Sequence, residues 1–309
     1  MKTQNHIHQT KILLVVASSL LMAHPIAHAN SVYVGYSQSE QTSVIGEREF
    51  SLDPSGMSVL ASFDLSDNWV LSLDVGNQDD SGRVDQLLHA NSESDSWGAS
   101  LNYYWDNWVF TYGYSNWEDE LVVVADRPRD NVPPVEVYRQ TNDSPSHALR
   151  AGYYWMGDDW QLGLTGGLHI SSWEQYTKGD NPTDNFPPQD ALDEGDTTFI
   201  SVGLNGAKFF NFVGDQDMVL GGSVSWNELT NDDSTAVVRN GRNVNQITNR
   251  NAVNRLNATV VSGSDSYGQL NVYLSWEITE NWVADVDTGI DFGSDDNSHF
   301  WSLNVGYVF

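Results

Sequence analysis

From Met57 to Leu65 the chain alternates: Met57, Val59, Ala61, Phe63 and Leu65 share one face, while Ser58, Leu60, Ser62 and Asp64 share the other. Period two is the signature of a strand with two different environments on its faces. After the turn Ser66-Asp67-Asn68 the chain resumes with Trp69, Leu71, Leu73 and Val75 outward and Val70, Ser72, Asp74 and Gly76 inward, which completes a hairpin. The construction recurs around Asp106-Asn107, Gly157-Asp158-Asp159 and Glu280-Asn281, so that Trp69, Trp108, Trp160 and Trp282 each open a strand just after an acidic or amide pair. A fifth, less regular hairpin joins 198–210 to 218–226.

Between these tight turns lie long polar segments, 39–55, 79–94, 117–146, 171–195 and 227–262, which read as loops. With a first strand at 31–38 and a last at 300–309, the count is about twelve strands, the even number that a closed antiparallel barrel requires. The reading is therefore all-β: a transmembrane, up-and-down, antiparallel β-barrel of about twelve strands, with short turns at one end and long loops at the other. A propeller would need blades of about 40 to 50 residues, and the tryptophan spacing is too uneven for that. A β-sandwich would not concentrate tryptophan at strand ends, where a membrane barrel carries its aromatic girdle.

Residues 1–29 differ in kind. Lys2 and Lys11 precede the apolar run Ile12–Met22, and Ala27-His28-Ala29 follows, the three parts of a secretory signal peptide. The run is shorter than the roughly 20 residues of a transmembrane helix. Cleavage after Ala29 is expected, which leaves 30–309 as the barrel.

Composition narrows the function. Of 309 residues 42 are Asp or Glu and 14 are Lys or Arg, a formal charge of −28, so nucleic acid would be repelled. The absence of cysteine removes disulfides and thiolate chemistry. No cofactor or metal is called for, because Asp79-Asp80, Asp232-Asp233 and Asp295-Asp296 lack calcium-loop spacing.

The C-terminal stretch Phe300–Phe309 puts Trp301, Leu303, Val305, Tyr307 and Phe309 on one face and ends on an aromatic residue. It resembles the C-terminal assembly signal of Gram-negative outer-membrane proteins. Together with the signal segment, this likeness implies an outer-membrane location, lipid and lipopolysaccharide as surroundings, and the barrel-assembly machinery as a partner. Chain length and the terminal Gly306-Tyr307-Val308-Phe309 look most like a stand-alone relative of autotransporter translocator domains. A passenger is not implied, since Val32, Val34 and Tyr36 already begin a strand.

Alternation assigns a polar, partly acidic set to the interior, with Asp64, Asp74, Arg150, His169, Asp285 and Asp287 as candidate pore-lining residues. Carboxylates there would favour cations, so the expected function is a small, weakly cation-favouring channel or a structural barrel. The rival class is a membrane-embedded lipase or protease using His169, but no nucleophile motif accompanies it and no catalytic residue is assigned. Arg239, Arg242, Arg250 and Arg255 concentrate basic charge in one segment and are expected either to fold inward and constrict the pore or to meet lipopolysaccharide phosphates. Oligomeric state is left open.

Overall fold

A computed structural model describes residues 30–39, 41–45, 48–125, 134–179, 191–211, 217–240, 243–247, 266–293 and 299–309. In chain order the strands are β1 (Ser31–Ser39), β2 (Gln41–Ile45), β3 (Arg48–Leu52), β4 (Ser55–Ser66), β5 (Trp69–Arg83), β6 (Leu88–Trp105), β7 (Trp108–Ala125) and β8 (Val135–Met156). They continue with β9 (Trp160–Gly179), β10 (Ala191–Asn211), β11 (Asp217–Asn240), β12 (Asn243–Ile247), β13 (Tyr267–Thr279), β14 (Trp282–Phe292) and β15 (His299–Val308). Twelve of them close a single antiparallel barrel, in which β1 pairs with both β4 and β15 and β10 pairs with β11. The short β2–β3 pair stands apart as a hairpin between β1 and β4.

Each tryptophan that follows an acidic or amide pair opens a strand, at Trp69, Trp108, Trp160 and Trp282. The residue before each one explains the motif. The carbonyls of Asn68, Asn107, Asp159 and Asn281 accept N–H bonds of 2.8–2.9 Å from Tyr104, Tyr154, Phe209 and Val308 on the next strand round. Side chains repeat the tie: Asn68 Nδ2 donates to the Tyr104 carbonyl at 2.7 Å, and Asn281 Nδ2 to the Val308 carbonyl at 2.8 Å. Phe309 N donates to the Asn30 carbonyl at 2.9 Å, so both ends of the barrel segment meet at this same rim.

The outward faces are apolar and exposed, among them Val34, Leu73, Leu162, Leu164, Val202, Leu204, Val272, Val286 and Leu303. A continuous band of this kind is far larger than the patches that water-soluble proteins tolerate, and a lipid layer is the solvent that suits it. Aromatic side chains edge the band. Toward the tight turns, Trp69 packs on Tyr103 with centroids 4.6 Å apart, and Trp282 on Tyr307 at 5.2 Å. Toward the other end, Tyr36 meets Trp301 at 5.6 Å and Trp97 meets Tyr114 at 5.2 Å. Trp301, Leu303, Val305, Tyr307 and Phe309, expected on one face, are all exposed on this outer surface.

The polar segments expected to be loops need correction. Strands β5 to β11 run past the upper aromatic belt, so that 79–94 is a hairpin turning at 84–87 and most of 117–146 and 171–195 is paired strand. Above the lipid both faces of a strand can be polar, and alternation of small with charged residues there leaves no hydropathy contrast to read. Segment 227–262, expected to be irregular, extends β11 to Asn240 and returns as β12. Residues 1–29, Arg242, Arg250 and Arg255 lie outside the described residues, as does the Arg239 side chain.

Candidate functional site

Within the membrane-spanning part, the interior faces carry few apolar side chains and many small or polar ones. Glycine shapes this wall. Tyr33 stands opposite Gly306 in register, Tyr154 opposite Gly163, Tyr273 opposite Gly221 and Phe300 opposite Gly289. A Cβ at each of these glycines would meet the facing ring, at 2.6 Å from Tyr154 Cε1 in the case of Gly163. The rings therefore lie along the wall, where any larger partner would push them toward the axis. Asp74 and Asn304 use Gly98 and Gly35 in the same way.

Acidic side chains line this wall. Asp285, Asp287 and Asp291 alternate down the inner face of β14 and are buried against it. At about 3.4 Å of rise per residue they form a column roughly 20 Å long. Asp64 and Asp74, on β4 and β5, are also inward and half-buried. Among the described residues the inward basic groups are Arg150 and His169, both half-buried. His169 is flanked in register by Ala148 and Phe199, and neither neighbour offers it a nucleophile or an orienting carboxylate.

Above the upper belt the inner face changes character. The register sets Gln78, Ser94, Asp119, Asn142, Gln175 and Asp193 in one row of cross-strand partners from β5 to β10. Just nearer the membrane, Trp117 faces inward opposite Ser144, and the β8–β9 offset, the same on both sides of Ser144 and Pro145, sets Trp173 on the far side of that serine. Asp119 Oδ1 accepts from Asn142 Nδ2 at 3.0 Å and from Trp117 Nε1 at 3.3 Å. Burial pushes the Asp119 carboxyl up to about 6 against the opposing effect of those two bonds, and burial alone takes Asp193 up to about 7.

Beyond that level an apolar cluster closes one side of the mouth. Phe50 and Leu52 of the β2–β3 hairpin, 6% and 1% exposed, pack with Leu88, Ala90, Leu121, Val123, Val137 and Tyr138. The first connection thus lays a hydrophobic cap on the outer ends of β6 to β8. Alternation within 117–123 and 173–177 is the signal that marks these inward residues, although the outward neighbours Glu118, Glu120 and Glu174 are charged rather than apolar.

No protein-family model matches the chain, and no curated relative matches it. Solved structures do match its fold. The translocator domain of autotransporter NalP from Neisseria meningitidis is 14% identical with a TM-score of 0.66, over 94% of this chain and 92% of that one. The transport unit of autotransporter AIDA-I from Escherichia coli is 11% identical with a TM-score of 0.56, over 94% and 97%. The beta domain of the Bordetella autotransporter Brka is 11% identical with a TM-score of 0.55, over 91% and 100%. Taken with the lipid-facing exterior, these likenesses make the chain an outer-membrane β-barrel of twelve strands with the architecture of autotransporter translocator domains.

Proposed function

We propose that this barrel is a narrow, water-filled channel that favours cations. The observation that carries the reading is the charge of the inner wall: Asp64, Asp74, Asp285, Asp287 and Asp291 against Arg150 and His169 among the described residues. Low-dielectric walls concentrate the field of such carboxylates and raise the local cation concentration. Flattening of Tyr33, Tyr154, Tyr273 and Phe300 onto glycines supports a passage along the axis, and so does the partial exposure of inward Asp64, Asp74, Arg150 and His169. Assembly through the aromatic C-terminal strand and contact of the acidic outer strands with lipopolysaccharide belong to the same reading.

Planar-bilayer recording of the purified chain tests it. Cation preference that declines in Asp285→Asn and Asp287→Asn is the expected result. A non-conducting barrel, or one whose ion preference ignores both substitutions, would sink the channel reading.

A further inference from the structure

We infer that the level of Trp117, Asp119, Asn142, Trp173 and Asp193, above the membrane and beneath the β2–β3 cap, is a binding site for an uncharged oligosaccharide. Three observations converge on that level.

The first is unmet hydrogen-bonding capacity of both signs. Trp173 Nε1, Asn142 Oδ1 and both carboxylate oxygens of Asp193 are buried with no protein partner, in residues 6%, 6% and 1% exposed. Buried polar atoms of this kind are costly unless something else satisfies them. A metal ion would serve the oxygens and leave the indole N–H unmet, whereas a sugar hydroxyl both donates and accepts.

The second is the pair of indoles. Trp117 and Trp173 are separated by one strand, which places their backbones two strand spacings apart, roughly 10 Å. Only the small Ser144 side chain stands between them, held by its bond to Ser171 Oγ at 2.9 Å. The half-buried face of Trp117, beside the buried Trp173 N–H and the orphaned acceptors, suits a ring that is apolar on its faces and polar at its edge, which describes a pyranose.

The third is charge. Asp119 and Asp193 face this level, and the inward basic groups nearest along the chain, Arg150 and His169, lie deeper in the barrel. An acidic saccharide would find no cation here to pair with among the described residues, so the ligand class is neutral. Trp117 and Asp119 are only half-buried, so that side of the level is partly exposed to solvent.

The site is tested by binding rather than by conduction, so it stands or falls separately from the channel reading. Refolded full-length chain in detergent is titrated with maltotetraose, cellotetraose, chitotetraose and tetragalacturonate, following tryptophan fluorescence and heat. A saturable response to at least one neutral probe and none to tetragalacturonate is expected. Affinity should fall about tenfold or more in Trp173→Phe, which removes the indole N–H together with part of the ring, and in Asp193→Asn, which exchanges one acceptor for a donor at nearly constant shape. Heat-modifiable migration checks that both variants are folded, and Asn142→Leu gives a third, independent reading. Overturning results would be no saturable response to any neutral probe, equal affinity in all three variants, or saturable calcium binding that excludes sugar.

Discussion

Tyr273 on β13 lies across Gly221 on β11, its direct register partner, so that a Cβ on Gly221 would land on the phenol ring. The smallest possible substitution should therefore tip the ring toward the axis. Gly221→Ala is expected to lower single-channel conductance severalfold while the barrel still assembles. Gly166→Ala is the control, because its nearest atom would be the Ser201 carbonyl at an unstrained 3.7 Å. Equal conductance in both variants would show that the wall rings do not set the bore.

The cap makes a separate prediction. Phe50 and Leu52 anchor the β2–β3 hairpin through buried contacts with Leu121, Val123 and Tyr138. Truncating either to Ala should cost about 2 to 5 kcal/mol locally, by loss of burial and creation of a cavity. Hydrogen exchange in 48–52 should then accelerate sharply while β13 to β15 stay protected. Unchanged protection at 48–52 would mean that the hairpin is held by something other than these two side chains.

Proton linkage at Asp193 has a defined sign. Burial raises its carboxyl from 3.8 to about 7, so the folded chain holds a proton that the unfolded chain has released. That contribution to stability is complete below the unfolded value and is lost as pH rises through about 7. Protection of the outer ends of β9 and β10, taken relative to the intrinsic exchange rate at each pH, should accordingly be lower at about pH 8 than at about pH 5, and Asp193→Asn should flatten the difference. An identical pH dependence in that variant would assign it elsewhere.

Rim ties around the tight turns should each be worth about 1 kcal/mol, the net value of one hydrogen bond. Asn281→Ala deletes the Nδ2 bond to the Val308 carbonyl, and Asn68→Ala deletes the equivalent bond to Tyr104. The two sites are far apart on the rim, so urea unfolding in lipid vesicles should show additive losses. A much larger combined loss would indicate that the rim acts as one unit.

Lipid-facing substitutions should follow depth. Arginine at Val272 or Leu303 is expected to cost roughly 2 to 4 kcal/mol at mid-bilayer, less at Leu162 beside the lower aromatic belt, and at Glu118, beyond the upper belt, close to nothing. A flat profile of assembly yield across these positions would place the membrane elsewhere on the barrel.

Alternation by itself determined the barrel. Because lipid demands apolar residues at every second position, Met57 to Val75 and Leu270 to Val286 could be placed on strands and faces without coordinates, and the pairs before Trp69, Trp108, Trp160 and Trp282 marked the turns. Inward placement of Asp285 and Asp287 followed from the same parity. Where lipid ends, that constraint ends too, and the outer strands through Asp95, Asp119 and Asp143 have the composition of loops. Which glycine receives which ring is a matter of cross-strand register, and Tyr273 with Gly221 are 52 residues apart in the chain. Likewise, only the register of the successive pairs β7–β8, β8–β9 and β9–β10 brings Trp117, Trp173 and Asp193 together. Their neighbourhood depends on the pairing offsets between successive strands, and no local pattern encodes those offsets.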